Sequence, residues 1–271
     1  MQIRAICSDI DGTLLDGNRE ISPTTRKVFA SLPQDFPVIL ASSRMPAAIT
    51  HLQRDLKREN NPIISYNGGF VVDPSQTQAS TLSSTCITAD LCRRIVQMAD
   101  GMDIHISLYS ENNWYAPRMD KWTEKEETAT KVRASLLDNH RVVDSWKKNG
   151  GGAHKVMCMG DAESIELLYR NLEQNFLASL HLYRSKDTYI EIAPASISKA
   201  TGLSLILERY GIDMSEVMAF GDNFNDIALL ESVGLGIAVG NARPEVKAVA
   251  ADCTADSKAD GVAQAIEKYL L

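Results

Sequence analysis

The chain is short of the features that mark several functional classes. Its five cysteines (Cys7, Cys86, Cys92, Cys158 and Cys253) are odd in number and nowhere spaced as C-x-x-C. That argues against a disulfide framework or a thiolate zinc site and for reduced thiols. The five histidines have no ligand spacing either. There is no basic stripe: the formal net charge is -7, and the only dense basic points are Arg93-Arg94 and Lys147-Lys148, so no nucleic-acid partner is expected. No apolar run reaches membrane-spanning length, and the sequence opens at once on an alternating strand. Neither a membrane span nor a signal peptide is expected, and the predicted location is cytoplasmic. Internal repeats and low-complexity segments are also missing.

What is present is a core-forming composition, 44% hydrophobic over 271 residues, enough for one large or two moderate domains. Short apolar strands alternate with helices at both ends of the chain. Strands are predicted over 3–10, 36–41 ("FPVILA"), 62–66, 189–192, 217–220 and 236–239. Between them helices are predicted over 23–32, 46–57, 199–210, 225–232, 244–250 and 262–271, the first opened by Ser22-Pro23 as cap and first helical residue. This rhythm indicates an α/β fold with a Rossmann-like parallel sheet covered on both faces. The middle differs: more polar strands ("HISLYS", "NWYAP", "KVMCM", "LHLYRS"), helices over 89–99, 123–137 and 164–174, and a loop "KKNGGG" at 147–152. The predicted organisation is a discontinuous core, 1–82 and 187–271, with an inserted α+β cap domain over 83–186.

Four stretches carry candidate chemistry. In "CSDIDGTL" the first strand ends in Asp9 and Asp11, two positions apart, and alternation along a strand would point both carboxylates the same way. Like charges so placed raise each other's pKa, and a bound cation is the first candidate to offset the cost. An EF-hand loop is excluded, because Leu14 stands at the sixth position, where glycine is required, although Glu20 falls at the twelfth. The second stretch, "GDNFND" (Gly221 to Asp226), places Asp222 and Asp226 after another apolar strand. Taken singly, Asp226 at a helix start is only a cap. Four carboxylates at strand ends of one parallel sheet make a hard-oxygen site suited to Mg²⁺. Third, "ASSR" (Ala41 to Arg44) offers the Ser42 hydroxyl and main-chain N–H groups as an anion cradle, with a plain N-cap as the competing reading. Fourth, Lys199 opens a helix, where its charge opposes the dipole unless an anion compensates.

In this order the motifs resemble the haloacid dehalogenase-like superfamily, and within it the Cof-type sugar-phosphatase branch with a large α/β cap. "DIDGTL", "SSR", Lys199 and "GDNFND" match the family pattern over the whole chain, and Asn67-Gly68 resembles its "NG" turn. Ser42 stands where threonine is usual, Ser43 replaces a glycine, and Ala200 follows the lysine where glycine is frequent. The resemblance implies a Mg²⁺-dependent phosphatase acting on small phosphorylated metabolites, such as sugar phosphates, pyridoxal phosphate or a flavin mononucleotide. It implies Asp9 as nucleophile, forming an aspartyl-phosphate, and Asp11 as general acid and base. The metal would be held by Asp9, the Asp11 carbonyl and Asp222 with Asp226 in support, and the phosphate by Ser42, Ser43, Lys199 and Asn225. Alternatives are a phosphomutase of the same superfamily, a dehalogenase proper, for which Asp11 and Asp222 would have no use, and a non-catalytic phospho-metabolite sensor. Trp114, Tyr115 and Trp122 are candidates to line the cap, with a core role as the simpler reading.

Overall fold

The computed structural model describes residues 2–75, 80–184 and 186–271. Its strands are β1 (Ala5–Ser8), β2 (Val38–Ala41), β3 (Ile63–Ser65), β4 (Phe70–Asp73), β5 (Ser80–Ser84), β6 (Ile87–Thr88), β7 (His105–Ser110) and β8 (Asn113–Ala116). They continue with β9 (Ser135–Leu136), β10 (Gly152–Ala153), β11 (Lys155–Met159), β12 (Leu180–Tyr183), β13 (Tyr189–Pro194), β14 (Val217–Gly221), β15 (Leu235–Ala238) and β16 (Asp252–Cys253). The helices are α1 (Pro23–Ser31), α2 (Ala47–Asp55), α3 (Ala89–Met98), α4 (Lys121–Thr130), α5 (Asn139–Asn149), α6 (Ala162–Phe176), α7 (Lys199–Tyr210), α8 (Ile227–Ser232), α9 (Pro244–Val249) and α10 (Gly261–Leu270). Two compact units result: Met1–Arg44, Ile49–Ser83 and Ser198–Leu271 form one, and Met45–Ala48 with Ser84–Ile197 form the other.

The first unit is built on an eight-stranded sheet in the order β16-β15-β14-β1-β2-β3-β4-β5. From β16 to β3 every neighbouring pair is parallel. The sheet is not parallel throughout, however: β4 turns back antiparallel to β3 across a four-residue turn, too short for a crossover. Strands β1, β2 and β14 are buried along their whole length, as strands covered on both faces must be. Ile6, Ile39, Leu40, Val217 and Phe220 of these strands pack with Phe29, Leu52, Leu203, Ile206 and Ile266 from helices. Each such side chain contributes about 1.5–3 kcal/mol on burial. β1 lies between β14 and β2, so the chain's direction across the sheet reverses there, and the loops after β1, β2 and β14 leave from one edge.

The second unit has a six-stranded sheet, β12-β13-β11-β7-β8-β9, antiparallel except for the β8–β9 pair. Alternation sends Ile106, Leu108, Val156, Cys158, Ile190 and Ile192 into a core with Ile95, Val142, Ile165 and Leu168 of α3, α5 and α6. On the other face His105 and Tyr109 bond α4 and its cap, through Asp120 at 2.9 Å and Glu126 at 3.4 Å. Trp114 is buried and stacks on Tyr109 at 5.6 Å, Tyr115 packs edge-on to Trp146 at 6.1 Å, and Trp122 meets Tyr189 at 5.3 Å.

Three expectations are corrected. The segment 189–192 is a strand, but β13 pairs with β11 and β12 in the second unit's sheet, so that unit extends to Ile197 rather than to 186. The helix expected over 123–137 ends at Thr130, where Lys131 adopts φ 60°, and β9 follows. The "KKN" of the expected loop is the last turn of α5, which is capped by Asp138 and closed by Gly150 in the left-handed region. Of "LHLYRS", the final residue 185 lies outside the described residues.

Candidate active site

The loop after β1 begins where the Asp9 N–H bonds the Phe220 carbonyl at 3.0 Å, tying it to β14. Three successive N–H groups (Thr13, Leu14 and Leu15) then close on the Ile10 carbonyl. The turn depends on Gly12, at φ +87°, where an added Cβ would stand 2.5 Å from Asp222 Oδ2. Thr13 Oγ1 donates to Asp222 Oδ1 at 2.9 Å, so this loop holds the carboxylate of the other.

The loop after β14 runs from Asp222 through a short 3₁₀ turn, Phe224–Asp226, into α8. Asp226 is fully buried and its side chain turns back: Oδ2 accepts from the N–H groups of Asp222 and Asn223, each at 3.0 Å. Its Oδ1 accepts from Lys199 Nζ at 2.6 Å. Lys199 leads α7 behind a Ser198–Thr201 capping box, is completely buried, and also donates to Asp9 Oδ1. The anions predicted to compensate the lysine are thus Asp9 and Asp226. Burial opposes its charge, but these two carboxylates, by charge and hydrogen bond, hold its pKa above the ordinary lysine value.

Asp9, Asp222 and Asp226 each offer an oxygen within 4.8 Å of the others. One ammonium against three carboxylates leaves an excess of negative charge. Burial, together with the neighbouring Asp226 charge, pushes Asp222 up to about 6 despite the Thr13 bond and Lys199. Asp9 is raised as well, first by burial and then by Asp226 and Asp222, against the opposing pull of Lys199. An all-oxygen donor set with unneutralised charge fits a hard divalent cation.

Asp11 departs from the expectation of a like-charge pair. β1 ends at Ser8, so the two-residue alternation of a strand no longer applies. Its carboxylate instead meets the buried Arg44 in a fork, Nε to Oδ2 and Nη2 to Oδ1, both at 2.7 Å, with Arg19 at 2.9 Å. Burial acts to raise the Asp11 pKa, but the Arg44 hydrogen bonds and charge, aided by Arg19, bring it below the usual carboxylate value. The carboxylate stands apart from the three-aspartate group, which leaves the main-chain carbonyl as the atom Asp11 could give a cation.

Ser42 follows β2 and is buried, while Ser43 is half-buried. The Ser42 N–H bonds the Ile64 carbonyl at 2.9 Å, so it continues the β2–β3 ladder and does not serve an anion cradle. Its Oγ accepts from the Arg44 N–H at 3.2 Å, which leaves the hydroxyl hydrogen to donate. Asn225 Nδ2 donates to Asn67 Oδ1 at 2.9 Å. Asn67 is buried at φ 55°, and its N–H bonds the Ser42 carbonyl at 2.9 Å, so it joins the loop after β2 to the loop after β14. The following Gly68, at φ +105°, has its Cβ position 2.2 Å from the Ser198 carbonyl oxygen. Thr13, Arg44 and Asn67 thus carry roles that their local motifs do not announce, holding Asp222, Asp11 and Asn225 respectively.

A family model described as haloacid dehalogenase-like hydrolase matches residues 6–266. A relative from Haemophilus influenzae is 30% identical over 270 residues, covering 99% of this chain and 98% of the relative. A pyridoxal phosphate phosphatase of Escherichia coli is 27% identical over 285 residues, covering all of both chains (100% each). The crystal structure of a haloacid dehalogenase-like hydrolase from Bacteroides thetaiotaomicron superposes with a TM-score of 0.88 at 27% identity, over 98% of this chain and 99% of that one. Among the described residues no helix is long and apolar enough to cross a membrane.

Proposed function

The chain belongs to the haloacid dehalogenase-like hydrolases, and from that premise we propose that it is a Mg²⁺-dependent phosphatase that works through an aspartyl-phosphate on Asp9. Its substrates are small phosphorylated metabolites, with pyridoxal phosphate and sugar phosphates as the first to test. The observation that carries this reading is the separation of roles among the carboxylates: Asp9 sits with Lys199, Asp222 and Asp226, whereas Asp11 is held apart by Arg44.

Asp9 Oδ1 is engaged by Lys199, which orients Oδ2 to attack phosphorus as the ester P–O bond breaks. Asp9, the Asp11 carbonyl and Asp222, with Asp226 behind, would hold the cation, which when bound would supply charge neutralisation and orientation for the phosphoryl group. Asp226 acts mainly through the bonds it already makes, fixing Lys199 and the start of the Asp222 loop. Ser42, Ser43 and Asn225 are assigned to the phosphoryl oxygens. Asp11 gives its proton to the departing alkoxide, then removes one from the water that cleaves the acyl-phosphate, releasing orthophosphate and restoring both carboxyls. The ionised Asp11 that Arg44 holds is the form the second step needs. Protonation, required for the first, weakens the fork, so the two forms of Asp11 differ in how tightly Arg44 grips them.

Orthophosphate release should be measured over a panel of phosphate esters with Mg²⁺ and with EDTA. Metal-dependent release from at least one metabolite ester is expected. Undiminished release in EDTA would remove the cation from the scheme, and transfer to a second acceptor without free phosphate would mark a mutase.

A further inference from the structure

One segment at the same sheet edge has no part in the reading above: Gly240 to Arg243, "GNAR", which follows β15. Because β15 is parallel to β14, this segment leaves beside the Asp222 loop. Asn241 Nδ2 donates to the Gly12 carbonyl at 2.7 Å, and its Oδ1 accepts the Ser257 N–H at 2.9 Å, so both ends of the amide are fixed. Two residues on, the Arg243 N–H donates to the Asp222 carbonyl at 3.0 Å, its Nε donates to Asn223 Oδ1 at 2.9 Å, and its guanidinium lies 4.7 Å from the Phe224 ring centre. Asn241 and Arg243 thus grip, one each, the two loops that carry the candidate cation-binding carboxylates.

The grip falls where small rotations matter. The Gly12 carbonyl belongs to the peptide that leads into Thr13, and Thr13 Oγ1 is the donor to Asp222 Oδ1. Gly12 also leaves no slack, since its Cβ position is within 2.5 Å of the same carboxylate. Fixing that carbonyl therefore fixes the direction of the Thr13 hydroxyl and, through it, the Asp222 oxygens. Partners that orient metal ligands in this way commonly account for about 10–100-fold in affinity.

We propose that Asn241, backed by Arg243, is a positioning residue for the cation site, acting through Gly12 and Thr13 on Asp222. The role presupposes that Asp9, Asp222 and Asp226 bind a divalent cation. Asn241 touches neither the reacting atoms nor the ligand oxygens in this scheme. Its effect is to hold one ligand in the direction the cation requires.

The test is Mn²⁺ binding to the full chain, followed by the paramagnetic resonance signal of the free ion, with the urea unfolding midpoint recorded for every variant. Asn241→Ala and Thr13→Val should each weaken binding by about 10–100-fold. The double variant should bind no more weakly than the worse single one, because both act on the same carboxylate orientation. Wild-type affinity in Asn241→Ala, or losses that multiply in the double variant, would overturn the role while leaving the cation site in place. A wild-type protein that binds no Mn²⁺ would overturn the role and the cation reading together.

Discussion

Replacing Lys199 with methionine keeps an unbranched stem, one atom shorter, and removes the single ammonium among three carboxylates. Lys199 is completely buried, as is Asp226, and Asp9 is nearly so at 5% exposure. Neither contact is therefore screened by water, and the bond to Asp226 measures 2.6 Å. Breaking a buried pair from one side leaves its partner desolvated and costs about 3–5 kcal/mol. The loss should depend on pH with a definite sign. Asp9 and Asp222 already have raised pKa values, Asp222 at about 6, and Lys199 opposes the rise in both. Without it they rise further, so the native state binds more protons than the unfolded chain. Stability in Lys199→Met should then fall as pH rises from the ordinary carboxylate range to beyond about 6, over a wider range than in wild type. Urea unfolding in EDTA at several pH values reads this directly. A loss below about 1 kcal/mol, or the same loss at every pH, would refute the description of a charge-compensated buried cluster.

Gly12→Ala places a methyl 2.5 Å from Asp222 Oδ2 at a backbone φ of +87°, so turnover should drop by about 10²-fold, and a steady-state assay with unchanged kcat would contradict the tight turn. Asp11→Asn should slow turnover by about 10²–10⁴-fold, with a poor alkoxide leaving group suffering more than nitrophenolate in the first step; equal slowing of the burst for both esters would remove Asp11 as the acid. His154 is buried, which pushes its pKa down to about 4, and its Nδ1 accepts the Glu111 N–H at 3.1 Å. As pH falls from about 6.5 to about 4 the unfolded chain takes up a proton that the native one refuses, so up to about 3 kcal/mol should be lost, and His154→Gln should flatten that limb of the unfolding profile.

Much of the first unit was legible because its strands are continuous apolar runs and its site residues sit in compact motifs. Strand 217–220, helix 199–210 and the acidic strand ends all follow from that local pattern. The boundary at 187 did not, because "YIEIAP" has the same alternation in either sheet, and only pairing with β11 and β12 assigns it. Helix α5 is faint in the sequence because Val142, Val143 and Trp146 give a sparse apolar stripe that ends in glycines. In the site, Asp9 and Asp11 look equivalent until Gly12 bends the chain and Arg44, distant in sequence, claims one of them. The Asn67–Asn225 bond and the Thr13–Asp222 bond are likewise tertiary, joining residues that no local pattern connects.

The central claim is that Asp9 itself becomes phosphorylated. The most direct measurement is rapid acid quench of Asp11→Asn with nitrophenyl phosphate and Mg²⁺, followed by mass spectrometry of the peptide that contains residue 9. Phosphate on Asp9, formed in the burst and lost on treatment with hydroxylamine, is the predicted result. Nitrophenolate released in a full burst with no phosphate on that peptide would contradict it.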